Sequence, residues 1–319
     1  MKAKFAYIVI GLVLAALLMP GMVAAKTFKI GVTVIVSHPA LEADQKGFEK
    51  ALEEAGVMAE YDYQNAQGEM SNAQAIAQKF AAGGYDLVHA IATPTAQAAC
   101  KVIKNIPIVY SSVTDPVDAG LVKTMKAAGG NVTGVSDAWP VDRQIDMYHK
   151  MLPKAKKWGT IYNAGDANSV TSIGWTKDAM KKRGLELVEV TISSSSEVYT
   201  AAQSLVGRVD AIYITSDNMV ASAFGSVVKV CDDANLPLFA GNTDQVPQGA
   251  IAALGFDYFA VGHAAGKKAV QILKEGKKAG DIPSGLAEDL TLFVNLKAAG
   301  NQGVKIPQQY VDKADKVFK

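Results

Sequence analysis

The same plan is written twice along this chain, and few folds accommodate that. From Lys29, apolar runs rich in β-branched residues alternate with segments of helical period: "KIGVTVIV" then "ALEADQKGFEKALEEAG", "AEYDYQNA" then "SNAQAIAQKFAAGG", "DLVHAIAT" then "PTAQAACKVIKN", and "IPIVYSS". From Lys157 the order begins again with "WGTIYNAG" and "NSVTSIGWTKDAMKKRG", "LELVEVTI" and "SEVYTAAQSLVGR", "DAIYITS" and "DNMVASAFGSVVKVCDDAN", and "LPLFAGN". The strand runs are continuous rather than alternating in polarity, so they need cover on both faces, as in a parallel α/β sheet. Setting Asp86 over Asp210 aligns "DLVHAIATPTAQAA" with "DAIYITSDNMVASA" and puts Thr93 and Pro94 opposite Asp217 and Asn218.

The expected fold is α/β: two parallel-sheet, Rossmann-like lobes joined by a three-segment hinge. "NVTGVSDAWPVD" is the first crossing, and the elements after it ("GAIAALGF", "DYFAVGHAAGKKAVQILKEGK", "LTLFVNL") are too few for a third domain, so they complete the lobes by crossing back twice. The expected division is a signal peptide at 1–25, lobe one at 26–136 plus about 250–281, and lobe two at about 137–249 plus 282–319. A cleft between the carboxyl ends of two such sheets is where a ligand binds.

The first 25 residues read as a secretory signal peptide: a basic start at Lys2 and Lys4, an apolar stretch from Phe5 to Met19, and small residues at Val23-Ala24-Ala25. The stretch is broken at Pro20-Gly21 before it reaches the roughly 20 residues of a membrane span. No cysteine stands there to be lipidated, so a freely soluble, monomeric periplasmic protein is expected. Lys plus Arg number 32 and Asp plus Glu 31, an even balance that points away from nucleic acid and anionic membranes and toward a small neutral or zwitterionic partner. Cys100 and Cys231 fall in apolar helical segments of different lobes and read as buried free thiols, and the four histidines show no ligand spacing, so neither a metal nor another cofactor is expected.

No nucleophile elbow, phosphate loop, dinucleotide fingerprint or zinc-protease motif is present, so there is no positive case for an enzyme. The strand ends do carry polar residues. Lobe one offers Ser37-His38, Thr93-Pro94-Thr95 and Ser112 with Asp115; lobe two offers Asn168-Ser169, Asp217-Asn218 and Asp244; Trp139 lies in the crossing segment. Hydroxyls and first-turn amides around Thr93 and Thr95 suit an α-carboxylate, and Asp217 suits an α-ammonium. Plainer roles stay open: Thr93, Ser37 and Asp217 as helix caps, Asp115 and Asp244 as turn residues, Trp139 as hinge packing, His38 as a solvated loop residue.

The ordered series "VSHPALEADQKGFEKAL", "NAQGEMSNAQAIAQKF", "IATPTAQAA", "SSVTDPVDAGLV", "YNAGDANS", "SDNMVASA", "GNTDQV" and "LGFDYFAVG" resembles the substrate-binding proteins of ABC importers, in the tryptophan/tyrosine-type subfamily. The resemblance spans Lys29 to about Asp315 and implies a type I periplasmic-binding fold, capture of a small molecule, an aromatic amino acid in the first place, and delivery to a membrane ABC permease. It also implies ligand contacts at Thr93, Thr95, Ser112, Asp115, Asn168, Ser169, Asp217, Asn218 and Asp244. A sugar or nucleoside is the alternative solute.

Overall fold

Two strands, Leu87–Ile91 and Ile108–Val113, are buried from end to end and therefore need neighbours on both edges and layers on both faces. The computed structural model, which describes residues 26–127 and 129–319, places them inside a sheet covered by helices. The strands in chain order are β1 (Phe28–Val34), β2 (Ala59–Asn65), β3 (Leu87–Ile91), β4 (Ile108–Val113), β5 (Val132–Ser136), β6 (Lys157–Asn163), β7 (Glu186–Ile192), β8 (Ala211–Ile214), β9 (Leu238–Ala240), β10 (Ala252–Phe256), β11 (Gly285–Leu286), β12 (Leu290–Asn295) and β13 (Lys316–Phe318).

Lobe one is a parallel sheet in the order β11-β5-β4-β3-β1-β2, and lobe two a parallel sheet in the order β7-β6-β8-β9. A small third sheet, β10-β12-β13, contains the antiparallel pair β10/β12. It is tied to lobe two by the Ile251 amide, which donates to the Leu238 carbonyl at 2.8 Å. The repeated pattern thus gives two parallel sheets and two apolar clusters, the larger of which runs from lobe one to Trp158, Tyr213 and Phe239 on one side of the lobe-two sheet. One cluster is built around Phe48, Phe80 and Tyr110, the other around Phe224, Val227 and Leu238.

Two segments sit in the lobe opposite to the one expected. The strand Ala252–Phe256, expected with lobe one, pairs with β12, and Gly285–Leu286, expected with lobe two, adds to the edge of lobe one beside β5. Nothing in an apolar strand says which of two similar sheets it joins; the partner strand decides. The chain therefore changes sides at Asp137–Pro140, at Asp257, and between β11 and β12.

After Asp257 the helix Tyr258–Leu273 returns to lobe one and lies along the helix Pro39–Glu54. The backbones approach so closely that a Cβ on Gly262 would stand 1.8 Å from the Asp44 carbonyl oxygen, and one on Gly47 2.0 Å from that of Phe259. This contact fixes the helix that starts beside the cleft.

The expected signal peptide, 1–25, lies outside the described residues. Among the described residues no helix is long and apolar enough to cross a membrane, and no group of His, Cys, Asp and Glu is arranged to hold a metal. Cys100 and Cys231 are free, each packs against a different cluster, and burial pushes both thiols up to about 12.

Candidate functional site

The carboxyl ends of the strands in both lobes open onto one cavity. His38 follows β1, Ser112 and Thr114 end β4, Asp137 follows β5, Asn168 follows β6, Ser216 to Asn218 follow β8, Asn242 follows β9 and Tyr258 follows β10. Leu41 and Ala221 supply apolar wall. The side chains nearly close the cavity, leaving about 10 Å³ open to the centre of a water molecule, the room of about one water. A solute enters only if the two walls separate.

From lobe one, His38 stands at the start of the helix Pro39–Glu54, and its Nε2 lies 3.5 Å from Asn218 Oδ1 of lobe two, a long hydrogen bond that spans the cleft. Burial lowers the His38 pKa to about 4, so the ring is neutral at physiological pH. Ser112 sits where the β4/β5 register shifts, with φ of 53°, a left-handed backbone rare for a residue other than glycine.

From lobe two, Asp217 is the hub. One carboxylate oxygen accepts the Val220 amide at 2.8 Å and caps the short helix Asn218–Ser222. The other accepts the Asn163 amide at 2.6 Å and the Ser169 hydroxyl at 2.7 Å. Burial raises the Asp217 pKa against these donors, because desolvation disfavours the charged form. Three bonds leave part of its acceptor capacity for a ligand donor. Asn168 donates to the Ser216 carbonyl at 3.0 Å, while its Oδ1 is buried with no partner.

The crossing segments bring two residues that strand-end reasoning missed. Tyr258 donates its hydroxyl to Asp137 at 2.8 Å and lies 3.3 Å from Asn242 Oδ1. The second oxygen of Asp137 is buried without a partner, and burial pushes that carboxyl up to about 6 despite the tyrosine. Both residues stand in quoted sequence motifs, at the points where the chain changes lobes. A polar side chain at a crossing beside the cleft was the signal available.

Other expected contacts are placed elsewhere. Thr95 turns its hydroxyl back onto the Ile91 and Ala92 carbonyls at 2.5 and 3.1 Å, so it has no proton left to offer an anion. Thr93 and Pro94 are buried at the start of the helix Thr93–Val102 without lining the cavity; Ala92, not Thr93, is the N-cap, and the Thr93 hydroxyl has no partner. Ser37 is exposed and accepts from Asn65 at 3.1 Å. Asp115 closes a turn by accepting the Val117 and Asp118 amides, each at 3.0 Å. Trp139 is buried at the hinge, edge-on to Trp175 at 6.4 Å between centroids. Ser169 lies behind Asp217. Asp244 does not line the cavity, but burial pushes its carboxyl up to about 6 and its charge reaches Tyr258.

Among the described residues the lining holds two carboxyl groups and no lysine or arginine. Asp166, just behind, is raised to about 7 by burial and by the Asp217 charge. Such a cleft is short of cations and rich in acceptors, with hydroxyl and amide groups between them. It offers a charged ligand donor two carboxylates, and it contains no paired nucleophile and base.

Residues 29–318 match the family model described as ABC transporter substrate binding protein. The chain belongs to that family. As a substrate-binding protein it is a non-enzymatic transport component that takes up a small molecule and works with an ABC permease, and such proteins typically act outside the cytoplasm. It is 42% identical over 284 residues to a tyrosine-binding protein of Clostridioides difficile, covering 87% of this chain and 82% of the relative. The structure superimposes on an ABC domain of Streptococcus pneumoniae in complex with L-Trp with a TM-score of 0.88 at 33% identity, covering 92% and 100% of the two chains. Against a ligand-free, open substrate binding protein with adhesive properties from Clostridium difficile the TM-score is 0.67 at 39% identity, covering 92% and 99%. Of these two structures, the more identical in sequence is the less similar in shape.

Proposed function

We propose that this substrate-binding protein captures an aromatic L-amino acid, tyrosine or tryptophan, in the periplasm and carries it as a monomer to its permease. The observation that carries the reading is the pair of lining carboxylates, Asp137 from the crossing segment and Asp217 from lobe two, in a cleft without lining cations. They receive the α-ammonium. The α-carboxylate is held by Thr114 and the side-chain amide of Asn218, the unpartnered Oδ1 of Asn168 adds an acceptor for the ammonium, and Leu41 and Ala221 flank the side chain. The relatives that bind tyrosine and L-Trp support the ligand class, and the resemblance in shape to the L-Trp complex supports a closed lobe arrangement. The basic and apolar residues of 1–25 act as the export signal, and the lobes are divided at the three crossings described above.

The test is thermal unfolding of protein that has been denatured and refolded to strip carried solute. L-tyrosine or L-tryptophan at 100 times Kd should add about 2.7 kcal/mol, a shift of several degrees. Glucose, myo-inositol and adenosine should add nothing. A shift with one of those and none with any amino acid would replace the amino-acid reading by the solute that worked.

A further inference from the structure

Behind Ser112 lies a buried polar cluster whose other members, Asp44, Ser111 and His89, do not line the cavity. Asp44, on the helix Pro39–Glu54 and fully buried, accepts the Ser111 hydroxyl at 2.7 Å on one oxygen and the Ser112 hydroxyl on the other. His89 on β3, also fully buried, places Nε2 2.7 Å from Ser111 Oγ and stacks on Phe48 with centroids 3.8 Å apart. Ser111 donates its one proton to Asp44, so its oxygen can only accept from Nε2 of His89. His89 Nδ1 is left buried without a partner, and the Ser112 hydroxyl is turned inward onto Asp44.

We infer that Asp44 is a positioning residue for ligand binding: its carboxylate holds Ser112 in the left-handed backbone conformation that forms part of the cleft wall. Three observations converge. Ser112 has φ of 53° and lines the cavity, and the β4/β5 register breaks between Tyr110 and Val113. A serine adopts that φ at a steric cost, and a bulge persists where surrounding bonds hold it. The only side-chain bond of Ser112 among the described residues goes to Asp44. Asp44 is itself fixed, since the Gly262 backbone lies against its carbonyl and the helix bearing Gly262 begins at Tyr258, which lines the other side of the cleft. With its proton committed to Asp44, Ser112 turns only lone pairs and backbone toward a solute.

The inference rests on the amino-acid reading for its affinity measurement but not for its conformational one. Titration calorimetry with L-tyrosine and L-tryptophan on the intact protein should show Asp44→Ala weakening binding about tenfold or more. In the Ser112→Gly background the same change should cost less than threefold, because glycine takes a positive φ without help. Asp44→Asn, which keeps size and one acceptor oxygen, should fall between and guards against loss of fold. Independently of ligand, the ¹³Cα and ¹³Cβ shifts of Ser112 should leave their left-handed values in Asp44→Ala. If those shifts stay, or if Asp44→Ala costs the same in both backgrounds, the positioning role is wrong. If the unmutated protein binds neither amino acid, the ligand reading fails while the Ser112 shifts still decide the role of Asp44.

Discussion

At the scale of single residues the cleft is governed by where each polar group's bonds go. Asp137 has one buried oxygen without a partner and a pKa of about 6 before ligand arrives. An ammonium beside it favours the ionised form, so the bound pKa lies lower and binding below about pH 6 must release a proton. Affinity should be full above about pH 7 and fall toward pH 5. His38, already lowered to about 4, stays neutral over that range and contributes no opposing change. Calorimetry across that range should show the decline in the unmutated protein; Asp137→Asn should bind weakly with a shallower profile, and an undiminished decline would assign the titration to Asp166 or Asp244, which are raised to about 7 and about 6. Asp217→Ala removes a cap and an acceptor together, so it should cost about 1–2 kcal/mol in urea unfolding and abolish the ligand-induced shift. Asp217, Asn218, Asn168, Ser112 and His38 line the cavity because each stands at or within a few residues of the carboxyl end of a strand that periodicity locates. Thr95 and Asp115 instead turn to nearby backbone, because a hydroxyl or carboxylate at a helix start or turn can satisfy its own backbone, a choice that sequence spacing does not reveal.

At the scale of elements, glycines of similar appearance have opposite consequences. Gly174 lies exposed in the helix Ala167–Lys181 with nothing within 4 Å of the point a Cβ would occupy, whereas Gly262 would drive a Cβ into the Asp44 carbonyl at 1.8 Å. Gly174→Ala should stabilise by about 0.5–1 kcal/mol through helix propensity. Gly262→Ala should destabilise by about 1–3 kcal/mol through overpacking of the two helices. Urea midpoints at constant m would check both, and equal effects would contradict the close helix contact. Helix existence was plain from the 3.6-residue period. Which helix meets which was not, since the contact between Pro39–Glu54 and Tyr258–Leu273 joins segments some two hundred residues apart.

At the scale of the whole molecule, the lobes meet through few bonds. Besides His38 and Asn218, the Thr171 hydroxyl of lobe two donates to Asp118 of lobe one at 2.6 Å on the exposed rim. Thr171→Val removes that bond, worth about 0.5–1.5 kcal/mol, and should speed ligand release by roughly twofold to tenfold with little change in the association rate. Stopped-flow fluorescence would measure both rates, and an unchanged release rate would show that the rim bond plays no part in holding the lobes together. Periodicity and repetition were enough to establish two parallel α/β lobes, because burial on both faces and helical spacing are properties of local sequence. The even charge balance and the polar strand ends narrowed the solute to a small one. Tertiary structure alone placed Asp137 and Tyr258 in the wall, turned Thr95 away, and assigned β10 and β11 to their sheets. Those outcomes depend on which surfaces meet across the crossings, and contacts between distant segments leave no period in the chain.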